Sequence, residues 1–245
     1  MKLKAFGCVA LILGLCCVIS SANLAASYVA AKNRLLPIYC VENEANEVAI
    51  SFDAAWGADK TLNILDLLDK FEIKATFFLV GFWVDKYPDM VREIFKRGHE
   101  IGTHTNTHPN LTSLSRDGIK KELEISANKI TAITGEPVSV FRPPFGAYNN
   151  AVIEVASSLG LATIQWDVDT LDWKGLSGGE IAARVIKKTT SGSIILAHNN
   201  SDHIVEALPT IFSKLKPKFT FKKMSELILK GDFYIDNNGK QCKNS

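Results

Sequence analysis

The stretch Val48-Ala49-Ile50-Ser51-Phe52-Asp53 is a short β-branched and aromatic run closed by a carboxylate. It reads as a buried β-strand with a polar group at its C-terminal end. Immediately after it, residues 60–71 carry Leu62, Leu65, Leu68 and Phe71 at helical spacing. The same unit then repeats. Residues 75–80 read as a strand and 88–96 as a helix stopped by Gly98, followed by a strand at 99–103 and a long helix at 115–133 stopped by Gly135. Further strands are expected at 138–142, 161–167, 193–197 and 219–221, with helices at 151–159, 179–188, 204–215 and 224–229. Strand–helix alternation of this kind implies parallel strands joined by crossover helices. The expected fold is α/β: a distorted parallel (β/α) barrel of about seven strands. The count of seven strands favours this over an open sheet, which periodicity alone does not separate from it.

The chemistry follows the strands. Asp53 follows the first, and His104 and His108 the third. Arg142 with Pro143 and Pro144 follows the fourth, Asp169 and Asp172 with Trp173 the fifth, and His198 the sixth. In a parallel barrel all these strand ends open on one face, where catalytic groups of barrel enzymes gather. One polar residue after a strand is ordinary loop chemistry. A consecutive series that uses three of the chain's five histidines points to a site.

Each residue also has a plain structural reading. His104-Thr105-Asn106-Thr107-His108 places two imidazoles four residues apart, able to reach one divalent ion or simply to sit in a surface loop. Asp53 suits a base or a metal ligand, or a helix N-cap, although Asp59 is the more natural cap. Arg142 and Asp172 suit structural ion pairs. His99 and His203 lack partner groups in the sequence and read as structural or surface residues.

Outside this region the chain is less specific. Its 245 residues are 47% hydrophobic and 22% charged, with a formal net charge of +2, enough for one sizeable core. Lys2 and Lys4 precede an uncharged stretch reaching Ala31, whose densest apolar run has the length of a signal-peptide core. Residues 1–31 therefore read as a signal peptide or, being long enough to span a bilayer, as a membrane anchor. Lipid attachment at Cys16 is the weaker third option. Without Lys2 and Lys4 the net charge falls to zero, so there is no electrostatic footprint for nucleic acid. The expected organisation is one domain over residues 43–229, a tail over 230–245, and a monomer outside the cytoplasm. Cys40 and Cys242 are the only cysteines after the apolar segment, too far apart in sequence for a zinc motif. Chain ends often lie close together, so an exported protein is expected to join them as a disulfide.

From Val48 to Leu229 the chain resembles the polysaccharide deacetylases of carbohydrate esterase family 4. Ser51-Phe52-Asp53-Ala54 is similar to that family's first motif, normally Thr-Phe-Asp-Asp. His104-Thr-Asn-Thr-His108 resembles the second and Arg142-Pro-Pro-Phe145-Gly the third. Asp169-Thr-Leu-Asp172-Trp173 resembles the fourth and Leu196-Ala-His198 the fifth. The resemblance implies a distorted barrel that removes acetyl groups from amino sugars of a cell-wall glycan, such as peptidoglycan or chitooligosaccharide. It implies a divalent metal, zinc or in its place cobalt or manganese, held by His104 and His108. Asp53 would be the base, oriented by Arg142, and His198 the acid, paired with Asp172. Leu196 and Trp173 would line the pocket for the acetyl methyl group, and the Phe145 N–H would hold the oxyanion.

One position departs from the family pattern. The second aspartate, normally the third metal ligand, is Ala54 here. Asp53, Asp59, Asn106 or water remain as substitutes. Two other readings stay open: an O-acetyl polysaccharide esterase of the same fold, and a glycan-binding relative without activity.

Overall fold

A computed structural model describes residues 34–244. The signal or anchor expected at residues 1–31 lies outside the described residues, among which no helix is long and apolar enough to cross a membrane. The compact unit that carries the fold begins at Leu36.

The run from Val48 to Asp53 lies inside a single strand with parallel neighbours on both sides. Strands β1 (Cys40–Val41), β2 (Glu47–Ala54), β3 (Thr76–Leu79) and β4 (Glu100–Thr103) are followed by β5 (Val140–Phe141), β6 (Ala162–Thr163) and β7 (Val168–Asp169). Then come β8 (Ile194–His198), β9 (Thr220–Phe221), β10 (Phe233–Ile235) and β11 (Lys240–Lys243). Seven of them form one parallel sheet in the order β6-β5-β4-β3-β2-β8-β7, with β9 added beside the start of β2. The sheet curls into a half-barrel that does not close, because β6 and β7 are not paired with each other.

Helices cover the outer face: α1 (Thr61–Lys70), α2 (Gly81–Lys86), α3 (Pro88–Lys96), α4 (Arg116–Thr134), α5 (Asn150–Ser158), α6 (Gly178–Lys188), α7 (Ile204–Leu215) and α8 (Met224–Leu227). Their starts obey local chemistry. Ser115 and Asn149 accept backbone N–H bonds at the heads of α4 and α5, and Ser177 with Glu180 forms a capping box on α6. Along α1, Ile64, Leu65 and Leu68 are buried, so the helical spacing seen in the sequence is the core-facing stripe. Leu62, counted with that stripe, is exposed.

Side chains of β2 alternate between two environments. Ile50, Phe52 and Ala54 belong to the large apolar cluster shared with α1, α6 and α7, while Ala49 joins a second cluster with Phe78, Val140 and Ile194. Ser51 and Asp53 share the Ala49 side by the same alternation.

Three features differ from the sequence reading. In place of the single strand expected at 161–167 there are two short ones, β6 at 162–163 and β7 at 168–169, and between them Asp167 accepts bonds from the Ile194 N–H and the Ser193 hydroxyl, both at 2.7 Å. The segment from Ile38 fills the gap. Ile38 bridges Ile164, Cys40 bridges Ser193, and a Cβ at Gly192 would lie 1.7 Å from the Val41 carbonyl oxygen. The residues after Leu229, expected as a tail, carry an antiparallel pair, β10 and β11, and β11 runs parallel to β1.

The same register accounts for the cysteines. Cys40 lies opposite Lys240, so Cys242 is its diagonal neighbour, and both thiols are free. Diagonal Cα atoms stand about 7–8 Å apart, beyond the usual reach of a disulfide. The expected Cys40–Cys242 bond is not made.

Candidate active site

Parallel register delivers the key groups to one edge. Asp53 at the end of β2 is paired directly with His198 at the end of β8. Adjacent strands lie about 4.8 Å apart, so the two Cα atoms are neighbours although 145 positions separate them in the sequence.

Asp53 is buried among cations. Arg142 Nη1 donates to its Oδ1 at 2.7 Å, and His104 Nε2 stands 3.6 Å from its Oδ2. Burial works against the ionised carboxyl, but Arg142, His104 and His198 together outweigh it and hold Asp53 below the ordinary carboxylate range. Arg142 is itself fully buried. Its guanidinium lies 4.2 Å from the Phe78 ring centre, and Nη2 donates to the Gln165 carbonyl at 3.2 Å. Its backbone N–H continues the sheet by bonding Thr103 O, so the strand ladder fixes where the side chain starts.

A second pair sits across the register. His198 Nδ1 lies 2.7 Å from Asp172 Oδ1, and the other carboxylate oxygen accepts the His198 backbone N–H at 2.8 Å. Burial lowers the ring's affinity for a proton, but the bond and charge of Asp172, with Asp53 and Asp169 behind it, raise His198 above the ordinary imidazole value. Asp172 therefore fixes the ring and leaves Nε2 for the cleft.

The His104–His108 loop is held from outside. Thr105 and His108 adopt positive φ (71° and 59°), and the Thr105 hydroxyl accepts the His108 N–H. Glu122 on α4 accepts three bonds from the loop: the N–H groups of Asn106 and Thr107 at 2.9 and 2.8 Å, and the Thr107 hydroxyl at 2.8 Å. Sequence reasoning missed this residue. Its signal was an acidic side chain between the buried Ile119, Leu123 and Ser126 of one helix face. His104 Nδ1 must donate to the Arg142 carbonyl at 2.7 Å, which leaves the Nε2 lone pair free. Burial, with the charge of His104, pushes His108 down to about 4, so it is neutral at pH 7.

These are two imidazoles suited to a divalent ion, with Asp53 Oδ2 beside one of them. No group of three His, Cys, Asp or Glu side chains among the described residues is arranged to hold a metal. Two of the substitutes considered for the third ligand, Asp59 and Asn106, fall away. Asp59 is exposed and outside the cleft, and Asn106 Oδ1 accepts a bond from Lys129 Nζ at 2.9 Å. Ala54 is fully buried in the apolar cluster and does not line the cleft. The donor set thus fits a two-histidine site completed by Asp53 or water, not a three-ligand cage.

The cleft holds about 730 Å³ and is walled by Asp53, His104, His108, Asp172 and His198, with Leu196 buried in its wall. Phe145 and Trp173 also line it, as exposed rings. Arg142 reaches it only through Asp53. Trp56, Trp166 and the segment 199–202 also line it without having been singled out in the sequence.

Known proteins resemble this chain in sequence and in fold. The chain is 34% identical to a peptidoglycan-N-acetylglucosamine deacetylase of Bacillus cereus, over 77% of this chain and 91% of that protein. It is 34% identical to the uncharacterized protein YlxY of Bacillus subtilis over 74% of this chain, and spans only 57% of YlxY's length. The solved structure of BA3943 from Bacillus anthracis, described as a family 4 carbohydrate esterase pseudoenzyme, superposes with a TM-score of 0.75 at 35% identity, covering 78% of this chain and 68% of that one. A mutant of BA3943 is described as having restored enzymatic activity. The family profile for polysaccharide deacetylases matches residues 41–164. With its parallel half-barrel and its histidine, arginine and aspartate motifs at the strand ends, this chain belongs to the polysaccharide deacetylase family.

Proposed function

We propose that this protein removes N-acetyl groups from amino sugars of peptidoglycan, outside the cytoplasm. The observation that carries the reading is the register pair Asp53 and His198, each tied to its own partner of opposite charge. Amide hydrolysis needs a base and an acid that hold opposite protonation states at one pH. Arg142 favours the ionised carboxylate of Asp53, and Asp172 favours the protonated ring of His198.

In this reading Asp53 takes a proton from the attacking water as its oxygen bonds to the acetyl carbon. His198 Nε2 then gives its proton to the sugar nitrogen as the C–N bond breaks, releasing acetate and a free amine. The Phe145 N–H would face the carbonyl oxygen, and Leu196 and Trp173 would pack on the methyl group. A divalent ion at His104 and His108, zinc or in its place cobalt or manganese, would polarise the carbonyl and acidify the water. The uncharged segment reaching Ala31 supports export, and the B. cereus relative's name supports the substrate class.

A specific observation favours a second reading, a glycan-binding protein without turnover: Ala54 removes a metal ligand, and BA3943 is a pseudoenzyme of this fold. Mass spectrometry of peptidoglycan, N-acetylated chitooligosaccharide and O-acetyl xylan, after incubation with zinc-loaded protein, decides between them. Loss of acetyl mass supports the deacetylase. Intact substrates refute it, and cleavage only of O-acetyl xylan assigns the esterase.

A further inference from the structure

The loop after β2 carries an exposed aromatic ring that the catalytic arrangement does not use. Trp56 is 66% exposed at the cleft wall, its ring centre 5.0 Å from His108 and 6.3 Å from Phe82. Phe145 meets the same imidazole at 4.8 Å, so Trp56, His108 and Phe145 form one continuous aromatic strip.

An exposed tryptophan is usually free to swing, but the backbone beside this one is not. The Gly57 carbonyl accepts bonds from the buried Trp83 Nε1 at 2.7 Å and from Asn199 Nδ2 at 3.0 Å. Asn199 Nδ2 also donates to the Thr61 hydroxyl at 3.0 Å, which ties the loop to α1 and to the end of β8. Gly57 has φ +69°, and a Cβ there would come 2.3 Å from Asn200 Nδ2, so the turn needs glycine. The protein thus fixes the backbone beside a large ring at the mouth of its cleft, and His108 and Phe82 flank that ring without burying it.

We propose that Trp56 is a stacking platform for a pyranose ring of the glycan, beside the sugar whose acetamide reaches His104 and Asp53. A pyranose presents a face of C–H groups, weakly positive at the hydrogens, that complements the electron-rich face of an indole. A platform fixed before binding loses little entropy when the sugar docks. The inference rests on the deacetylase reading only for the ligand class, a chain of N-acetylated pyranoses. It does not need turnover or metal.

The test is calorimetric binding of N-acetylated chitotetraose to the metal-free full-length protein and to Trp56→Ala and Trp56→Phe. Trp56→Ala should weaken binding roughly tenfold, about 1.4 kcal/mol, and Trp56→Phe should stay within ~3-fold of wild type, with melting temperatures unchanged. Equal affinity in wild type and Trp56→Ala overturns the platform, as does a wild type that binds no oligosaccharide. It also falls if weaker binding comes with a lowered melting temperature and no rescue by phenylalanine. Acetate release is scored separately. No release, with binding lost in Trp56→Ala, refutes the activity and leaves the platform standing. Release with an unchanged KM in Trp56→Ala refutes the platform alone.

Discussion

Restoring the missing carboxylate by Ala54→Asp forces a choice between two environments. Ala54 is 0% exposed and sits in the apolar cluster with Ile50, Phe52 and the faces of α1, α6 and α7. An ionised carboxylate left there without a partner costs about 3 kcal/mol at the low end of measured penalties. For a domain of this size each kcal/mol moves the melting temperature by about 2–4 °C, so the metal-free variant should melt about 6–12 °C below wild type. Turned toward His104 and His108, the same group completes a three-ligand site. Metal at 100 times its Kd then returns about 2.7 kcal/mol, nearly the whole loss. We expect Ala54→Asp to be unstable without metal and close to wild type with it, and to bind zinc roughly tenfold tighter, about 1.4 kcal/mol. Thermal melts with and without zinc, together with a zinc titration of both proteins, measure this directly. A variant that melts like wild type in both conditions and binds no more tightly refutes the buried, apolar placement of Ala54. If neither protein binds metal, the hydrolase reading gives way to the glycan-binding one.

Asp53→Asn and His198→Ala should each lower kcat on acetylated chitooligosaccharide by at least ~100-fold while the fold persists by circular dichroism; near-normal turnover removes that residue from the mechanism. Because folded His198 titrates above its unfolded value, kcat should fall at alkaline pH as that ring deprotonates, and Asp172→Asn should move the alkaline limb downward. The pair's contribution to stability is complete below about pH 6.5 and fades as pH rises through the folded value, so melts of wild type against Asp172→Asn should converge at high pH. Glu122→Ala releases three hydrogen bonds from the histidine loop and should weaken zinc binding by roughly 10–100-fold in a chelator competition, with Glu122→Gln retaining part of it. Alkylation of unreduced, denatured protein should modify both Cys40 and Cys242, and an unmodified, linked pair would contradict the register of β1 on β11.

The amino-acid sequence by itself determined what depends on short range. The runs of β2, β3, β4 and β8, the helices between them except Gly81–Lys86, and the polar residues that follow each strand were legible because strand and helix periods, caps and stops act within a few residues. Helices Pro88–Lys96 and Ile204–Leu215 fall where the spacing placed them. That Asp53, His104, His108, Asp172 and His198 meet at one cleft was legible for the same reason: parallel strands bring their C-terminal ends to one edge whatever the loops do. Tertiary structure alone decided the rest. The strand expected at 161–167 gave way to β6 and β7, with Asp167 between them bonding Ser193 and Ile194, partners more than 20 positions away. The segment from Ile38 filled the open seam, and the C-terminal residues became β10 and β11, only through pairing between distant parts of the chain. Glu122 became an anchor of the histidine loop, Asp59 and Asn106 were excluded as ligands, and Trp56 was fixed at the cleft mouth, all by packing between elements. Those contacts carry no local period, so no window of sequence contains them.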